Sequence, residues 1–299
     1  MELLLAFNAY LFNYNKFLLS MNFKRLLIII ICILFLQSCG LKFWYNRLDW
    51  VVSWKADDFV ELTSEQEDKL EAAVRDKLAW HRSTQLPRYI SLITELEADL
   101  GSDKIAQKYD YYQKSFMDFY QTVVKEVTPE LLNLVADLDN KQTQELMKNL
   151  NDNANKRLQE FNKLSSEKRL KEVNESIIDG FEEWAGKLTK GQKTMIAQWV
   201  DEMLPTAELR FEYGNQWRVA MDYALANRAN PEGKATIENL ILNPRNLQNA
   251  ELKSRIESNK NIEKQYILQL HANMTAKQKK RFLRKLESYR EDFQDLLDD

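Results

Sequence analysis

Cysteine is nearly absent from this chain: Cys32 and Cys39 are the two in 299 residues. Both belong to an apolar N-terminal segment, so the remainder has no thiol and no disulfide and must be held by packing. Histidine is equally rare, with His81 and His271 alone. Two imidazoles and no spare thiolate leave no His/Cys set for a metal. Seven glycines and five prolines are few for this length, and no Gly/Ser-rich or Pro-rich linker interrupts the chain. No glycine-rich phosphate loop and no nucleophile–base pattern occurs, so neither a cofactor nor a catalytic residue is assigned. An excess of one charge is missing too. The net charge is −3 with both signs interspersed, which argues against nucleic acid as a partner. What is plentiful is Lys, Glu, Gln, Leu and Ala, the composition of helices joined by short loops.

One long apolar run stands out. Lys24 and Arg25 precede the uncharged stretch Leu26 to Leu36, eleven residues long. That is short of the ~20 residues a bilayer span needs. The run ends in Leu36-Gln37-Ser38-Cys39-Gly40, which resembles the lipobox of bacterial lipoproteins. The resemblance implies diacylglycerol on the Cys39 sulfur and acylation of its amine, an anchor of two or three chains. An uncleaved signal-anchor helix is the alternative, but it would have to recruit Phe43, Trp44 and Tyr45 past Lys42. Met21 opens a complete signal of its own. Residues 1–20 therefore read as a candidate over-called start, 21–38 as a lipoprotein signal peptide and 39–45 as the lipidated tether. Gly40 rather than Asp after the cysteine, by resemblance to the enterobacterial sorting rule, implies the periplasmic side of the outer membrane. Removing residues 1–38, which hold Glu2, Lys16, Lys24 and Arg25, takes the net charge from −3 to −5.

Apolar residues recur every three or four positions almost everywhere, as in Leu170, Val173, Ile177, Phe181, Trp184 and Leu188. Such stripes occupy one face of a helix. The spacing predicts an all-α multi-helix bundle with helices over 47–60, 64–85, 88–100, 103–126, 129–138, 141–163, 166–187, 190–203, 206–228, 232–242, 249–272 and 276–297. Pro87 disfavours helix at Leu86. Pro129 and Pro205 are expected just inside new helices. Gly101-Ser102, Asn230-Pro231 and Asn243-Pro244 read as turns.

A helix-start signal repeats. Thr63 with Gln66, Asp139 with Gln142, Thr189 with Gln192 and Thr275 with Gln278 each fit a capping box. In that device the Thr or Asp oxygen accepts an N–H one turn inside, and the Gln reaches back to the cap's own N–H. Seven residues past the caps lie Leu70, Leu146, Ile196 and Phe282; eleven past lie Val74, Leu150, Val200 and Leu286. These matched residues are expected to face one shared core. The pairing 63/139 and 189/275 suggests two related halves, 46–164 and 165–299. The Leu62-Thr63-x2-Gln66, Leu188-Thr189-x2-Gln192 and Met274-Thr275-x2-Gln278 theme resembles that of the Spy/CpxP periplasmic proteins, helical hooks with chaperone or stress-sensor roles. A wider set is Tyr45-Asn46-x-Leu48-Asp49-Trp50, Asp57-Asp58-Phe59-Val60-x-Leu62, Trp80-His81-x5-Leu86-Pro87-Arg88-Tyr89 and Trp184-x3-Leu188-Thr189-x2-Gln192. With the lipobox and the Gln278-x3-Phe282-x3-Leu286 helix, it resembles a family of proteobacterial lipoproteins of unknown function. That resemblance implies a location and a helical fold, and carries over no functional residue.

Four clusters are candidate surfaces, each also readable as packing. Trp80, His81, Arg82, Arg88 and Tyr89 flank the Pro87 break, as a binding pocket or as a helix corner. Arg210, Trp217, Arg218 and Arg228 share one segment; Arg210 and Trp217, seven apart, could meet as a cation–π pair. Tyr109, Tyr112, Phe116 and Tyr120 form an expected inward stripe flanked by Tyr111 and Phe119. Lys277, Lys279, Lys280, Arg281, Arg284 and Lys285 make a basic face suited to an anionic headgroup. The chain therefore reads as a non-enzymatic, outer-membrane-anchored helical lipoprotein that binds an envelope protein partner, with no cofactor assigned. The alternative is an envelope enzyme or accessory using the Trp80/His81/Arg82/Arg88 corner.

Overall fold

The computed structural model describes residues 40–102 and 104–298. The expected signal peptide and Cys39 lie outside the described residues. Among those described, regular structure is entirely helical. The helices are α1 (Gly40–Tyr45), α2 (Leu48–Ala56), α3 (Ser64–Thr84), α4 (Leu86–Gly101), α5 (Ile105–Asp137) and α6 (Asn140–Lys163). They continue with α7 (Ser166–Ala185), α8 (Lys190–Glu202), α9 (Ala207–Ala226), α10 (Pro231–Leu242), α11 (Ala250–Ala272) and α12 (Ala276–Asp298). A 3₁₀ turn, Pro244–Leu247, precedes α11. No helix among them is long and apolar enough to cross a membrane.

Three prolines behave differently from expectation. Helix α5 runs unbroken through Pro129, although an interior proline costs a helix about 3 kcal/mol. Thr128 and Leu132, buried on either side of it, hold the chain in place, and the Thr128 hydroxyl donates to the Val124 carbonyl at 2.6 Å. Pro205 lies before the Thr206 cap of α9, outside the helix. Leu86 is helical despite preceding Pro87 and is almost fully buried, which offsets its backbone preference.

The packing pattern repeats with an exchange. In the first half α3 packs on α2 and α5; in the second α8 packs on α7 and α11. The helix that follows each of these then crosses over: α4 packs on α12, and α9 packs on α6. Helix α10 is added against α5 and α9. Contacts therefore cross the 164/165 boundary in both directions.

Among the described residues, four apolar clusters result, not one core. Leu146 and Leu150 pack with Leu132, Met221, Leu225, Ile237 and Leu240. Ile196 and Val200 pack with Ile177, Trp199, Tyr266 and Leu270. The matched residues after the caps are thus split, because α9 and α10 close over α6 whereas α7 and α11 close over α8. Tyr45, Leu86 and Leu296 make a third cluster, and Leu92, Ile105 and Tyr112 a fourth.

Two stripes are shifted from their expected faces. Phe116 and Tyr120, predicted inward, are 40% and 44% exposed. The inward series on α5 is instead Ile105, Tyr112 and Phe119, every seventh residue, with Phe119 against Tyr89 at 4.6 Å. Leu170 and Val173 are exposed, because the contacts of α7 with α8 and α12 include Ile177 and Trp184 farther along. Gly186 ends α7 with φ +80°, a conformation that favours glycine. A side chain there would also press on Arg281.

Leu296, close to the C-terminus, is fully buried. Leu296→Ala should lower unfolding stability by about 3 kcal/mol in a urea titration. A change below about 0.5 kcal/mol, as for an exposed position, would mean that the last turn of α12 is frayed.

Candidate functional site

The four capping motifs sit at the starts of α3, α6, α8 and α12. Gln66, Gln142 and Gln192 close complete capping boxes with Thr63, Asp139 and Thr189. Thr275 and Gln278 make the same pair of bonds, at 2.9 and 3.2 Å. The cap residues are exposed, but the four glutamines are buried, at 9%, 7%, 2% and 4% exposure.

The glutamines are buried because they bind one another. Gln66 Nε2 donates to Gln142 Oε1 at 3.1 Å, and Gln142 Nε2 donates back to Gln66 Oε1 at 2.6 Å. Gln192 and Gln278 do the same at 3.0 and 2.9 Å. The second Nε2 proton of each goes to the carbonyl two residues before the partner's cap. The bonds are Gln66 to Asp137, Gln142 to Glu61, Gln192 to Asn273 and Gln278 to Lys187. Each Oε1 also accepts its own cap's N–H, at 2.9 Å in all four. A primary amide has two donors and two acceptor sites, and here all are used. The result is two local two-fold joints that tie α3 to α6 and α8 to α12. Arg228 reinforces the first by donating to the Leu138 carbonyl and to Asn140 Oδ1.

The Trp80–Tyr89 corner is a third joint. His81 lies between two phenols, with Nδ1 2.9 Å from Tyr45 Oη and Nε2 3.1 Å from Tyr89 Oη. Tyr45 donates to the Leu78 carbonyl at 3.4 Å, so it accepts from a protonated Nδ1 while Nε2 accepts from Tyr89. Burial lowers the His81 pKa from its ordinary value and pushes the Tyr45 phenol up to about 12. Arg82 reaches Asn46 Oδ1 at 2.6 Å, and Arg88 donates to Gln85 and lies over the Phe119 ring. Both ring nitrogens of His81 face hydroxyls. The corner docks the segment after Cys39 onto α3, α4 and α12.

The other candidates are not assembled into one site. Arg210 is exposed and donates to Thr206, whereas Trp217 donates its indole N–H to the Leu240 carbonyl and packs in the α9–α10 cluster. Arg218 reaches Asn151 on α6. Lys285, from the basic face of α12, pairs with Glu183 at 2.6 Å and lies over Trp184. The exposed group is aromatic: Tyr111, Phe116 and Tyr120 on α5. Beside Tyr111 is an open depression of about 250 Å³ lined by Arg88, Glu95, Ser115 and Phe119 among others. Next to Tyr111 in the chain, Tyr112 donates to buried Asp99, whose carboxyl is held below its usual range by Lys108 and Tyr112.

The glutamine joints had one visible signature. Glutamate can also close a capping box, yet all four positions carry Gln. Of these two side chains, an ionised glutamate can only accept, whereas the amide both gives and takes a hydrogen bond with its own kind.

Two outcomes follow from this geometry. Gln192→Ala strips buried partners from Gln278 and the Asn273 carbonyl, and should cost about 2–4 kcal/mol in chemical unfolding, against about 1 for Thr189→Ala. Gln192→Glu keeps the capping oxygen but loses both donors, so it should also destabilise; if it matches wild type, the Gln serves its own helix alone. For His81, the unfolded chain takes up a proton near 6.5 and the folded chain only at lower pH. Stability is therefore complete above that value and is lost as pH falls below it. Urea midpoints at about pH 7.5 and about pH 5 should separate more in wild type than in His81→Gln; equal separations would remove His81 from the acid response.

Comparison with curated proteins and with solved structures found no match. The family described as "Family of unknown function (DUF6279)" matches residues 58–253, a stretch from just after α2 into α11 that contains the first glutamine joint, Gln192, and His81 and Tyr89 of the corner but not Tyr45. On that match, which covers more than half of the chain, this protein belongs to the DUF6279 family.

Proposed function

We propose that this chain is a non-enzymatic lipoprotein, anchored through Cys39 on the periplasmic side of the outer membrane, that binds protein partners in a chaperone-like manner. One observation carries the binding reading: Tyr111, Phe116 and Tyr120 stand 40–46% exposed along α5. Large aromatic side chains left outward on one helix are what a partner segment covers. The neighbouring depression adds Arg88 and Glu95 at its rim, polar groups that orient an extended chain. The anchor reading is supported by the lipobox alone, Leu36-Gln37-Ser38-Cys39. The Spy/CpxP likeness supports a chaperone-like role in a modified sense. The glutamines of the motif are spent on internal joints, so recognition falls to the aromatic face they hold in place.

A photo-crosslinking amino acid at Phe116 in intact envelopes tests the binding reading. Discrete adducts are expected at 116 and not at exposed Glu172 on α7. Equal labelling at both positions, or none at 116, would discard it. Metabolic palmitate labelling lost in Cys39→Ala checks the anchor separately.

A further inference from the structure

Four large aromatic side chains are crowded at the start of the folded chain. Phe43, Trp44, Trp50 and Trp54 are 45%, 50%, 57% and 46% exposed. Their exposure is imposed by what lies opposite. Tyr45 is buried in the cluster with Leu86 and Leu296, and Ser53 is buried on α2. Asp49 reaches Arg75 on α3 at 3.5 Å. With these groups inward, the aromatics of α1 and α2 face out. Trp50 and Trp54, one turn apart, stack 6.2 Å apart with planes 9° from parallel. Cationic groups sit on the rings: Arg47 is 4.8 Å from the centre of Phe43, and Lys55 is 5.2 Å from that of Trp54.

We infer that α1 and α2 lie in the interfacial zone of a phospholipid leaflet, with Phe43, Trp44, Trp50 and Trp54 at headgroup level. The inference rests on the anchored reading above. What selects the lipid surface as occupant is where the chain outside the described residues ends. The apolar run Leu26 to Leu36 and Cys39 lead directly into Gly40. Acylated cysteine or retained apolar segment, either reading brings the bilayer to the first residue of α1. At about 1.5 Å per helical residue, Trp54 is within about 25 Å of Cys39 even if α1 and α2 were collinear. Indole suits this zone, since its flat apolar body enters the acyl boundary while its N–H stays with water and headgroups. Arg47 then meets lipid phosphates, while Lys55 stays paired with Asp58 at 2.6 Å. The rigid seat of Tyr45 makes the contact orienting: it would fix how the helical body stands over the membrane, where a lipid chain alone leaves it free to swivel.

Bromolipid quenching tests this with the full lipidated chain on vesicles of phosphatidylethanolamine and phosphatidylglycerol, the phosphatidylethanolamine brominated near the top of its acyl chains. Wild type should float with the vesicles and lose tryptophan emission in proportion to the three of seven tryptophans placed in this face. A variant with Trp44→Gln, Trp50→Gln and Trp54→Gln should float equally through its anchor and show emission indifferent to bromine. Its thermal unfolding should match wild type, since the replaced side chains are exposed. Wild type that floats without quenching overturns the inference and leaves the anchor standing, whatever the variant does. Equal fractional quenching of wild type and variant overturns it too. Protein that does not float removes the anchored reading and this inference together.

Discussion

Two pairs of buried glutamines bear the organisation of this protein. A buried primary amide is costly unless all of its hydrogen-bonding positions are used. Here each amide satisfies its own helix start, its partner amide and the carbonyl before the partner's cap. Four bonds meet on a side chain that no water needs to reach. The geometry also prescribes direction. Because each glutamine lies one turn inside its own helix and bonds the carbonyl two residues before the other's cap, the two helices begin close together. Apolar packing, which is indifferent to register, then acts on helices whose starts are already set.

From those starts the chain builds an interlocked body. The helix after each first cap leaves its own half and packs on the last helix of the other, α4 on α12 and α9 on α6. Such an exchange makes the two halves depend on each other, which suits a chain with few glycines and no cysteine among its described residues. The His81 corner extends the same principle to the N-terminal end. Tyr45 from α1 and Tyr89 from α4 clasp one imidazole, and Leu296 from α12 lies in the adjoining cluster. The segment after Cys39 is thereby joined to the far end of the chain.

Division of labour is the functional consequence. Polar residues that look catalytic or ligand-binding in the sequence, among them His81, Arg82, Arg228 and the glutamines, are engaged in joints. Two exposed aromatic surfaces stand apart from these joints, α1–α2 after Cys39 and the outer side of α5, with Tyr223 exposed singly on α9. One is positioned for lipid and the other for a protein partner in the reading proposed here. The stretch matched by the DUF6279 family holds the whole of the first joint but only the His81 and Tyr89 side of the corner.

Helix content and most helix boundaries were legible in the sequence, because periodicity and capping are local: Thr63, Asp139, Thr189 and Thr275 each announce a helix within four residues of chain. The pairing of caps was partly legible, since the repeat at 63/139 and 189/275 and the uniform choice of Gln are both visible in one dimension. Tertiary packing decided the rest. Pro129 stays inside α5 because burial of Thr128 and Leu132 outweighs a local preference. Phe116 and Tyr120 face outward because the partners of α5 meet the Ile105–Tyr112–Phe119 face, and a stripe's phase cannot tell which neighbour will arrive. That the matched apolar residues serve separate clusters, and that α4 and α9 exchange halves, depends on contacts between residues far apart in sequence, where local rules carry no information.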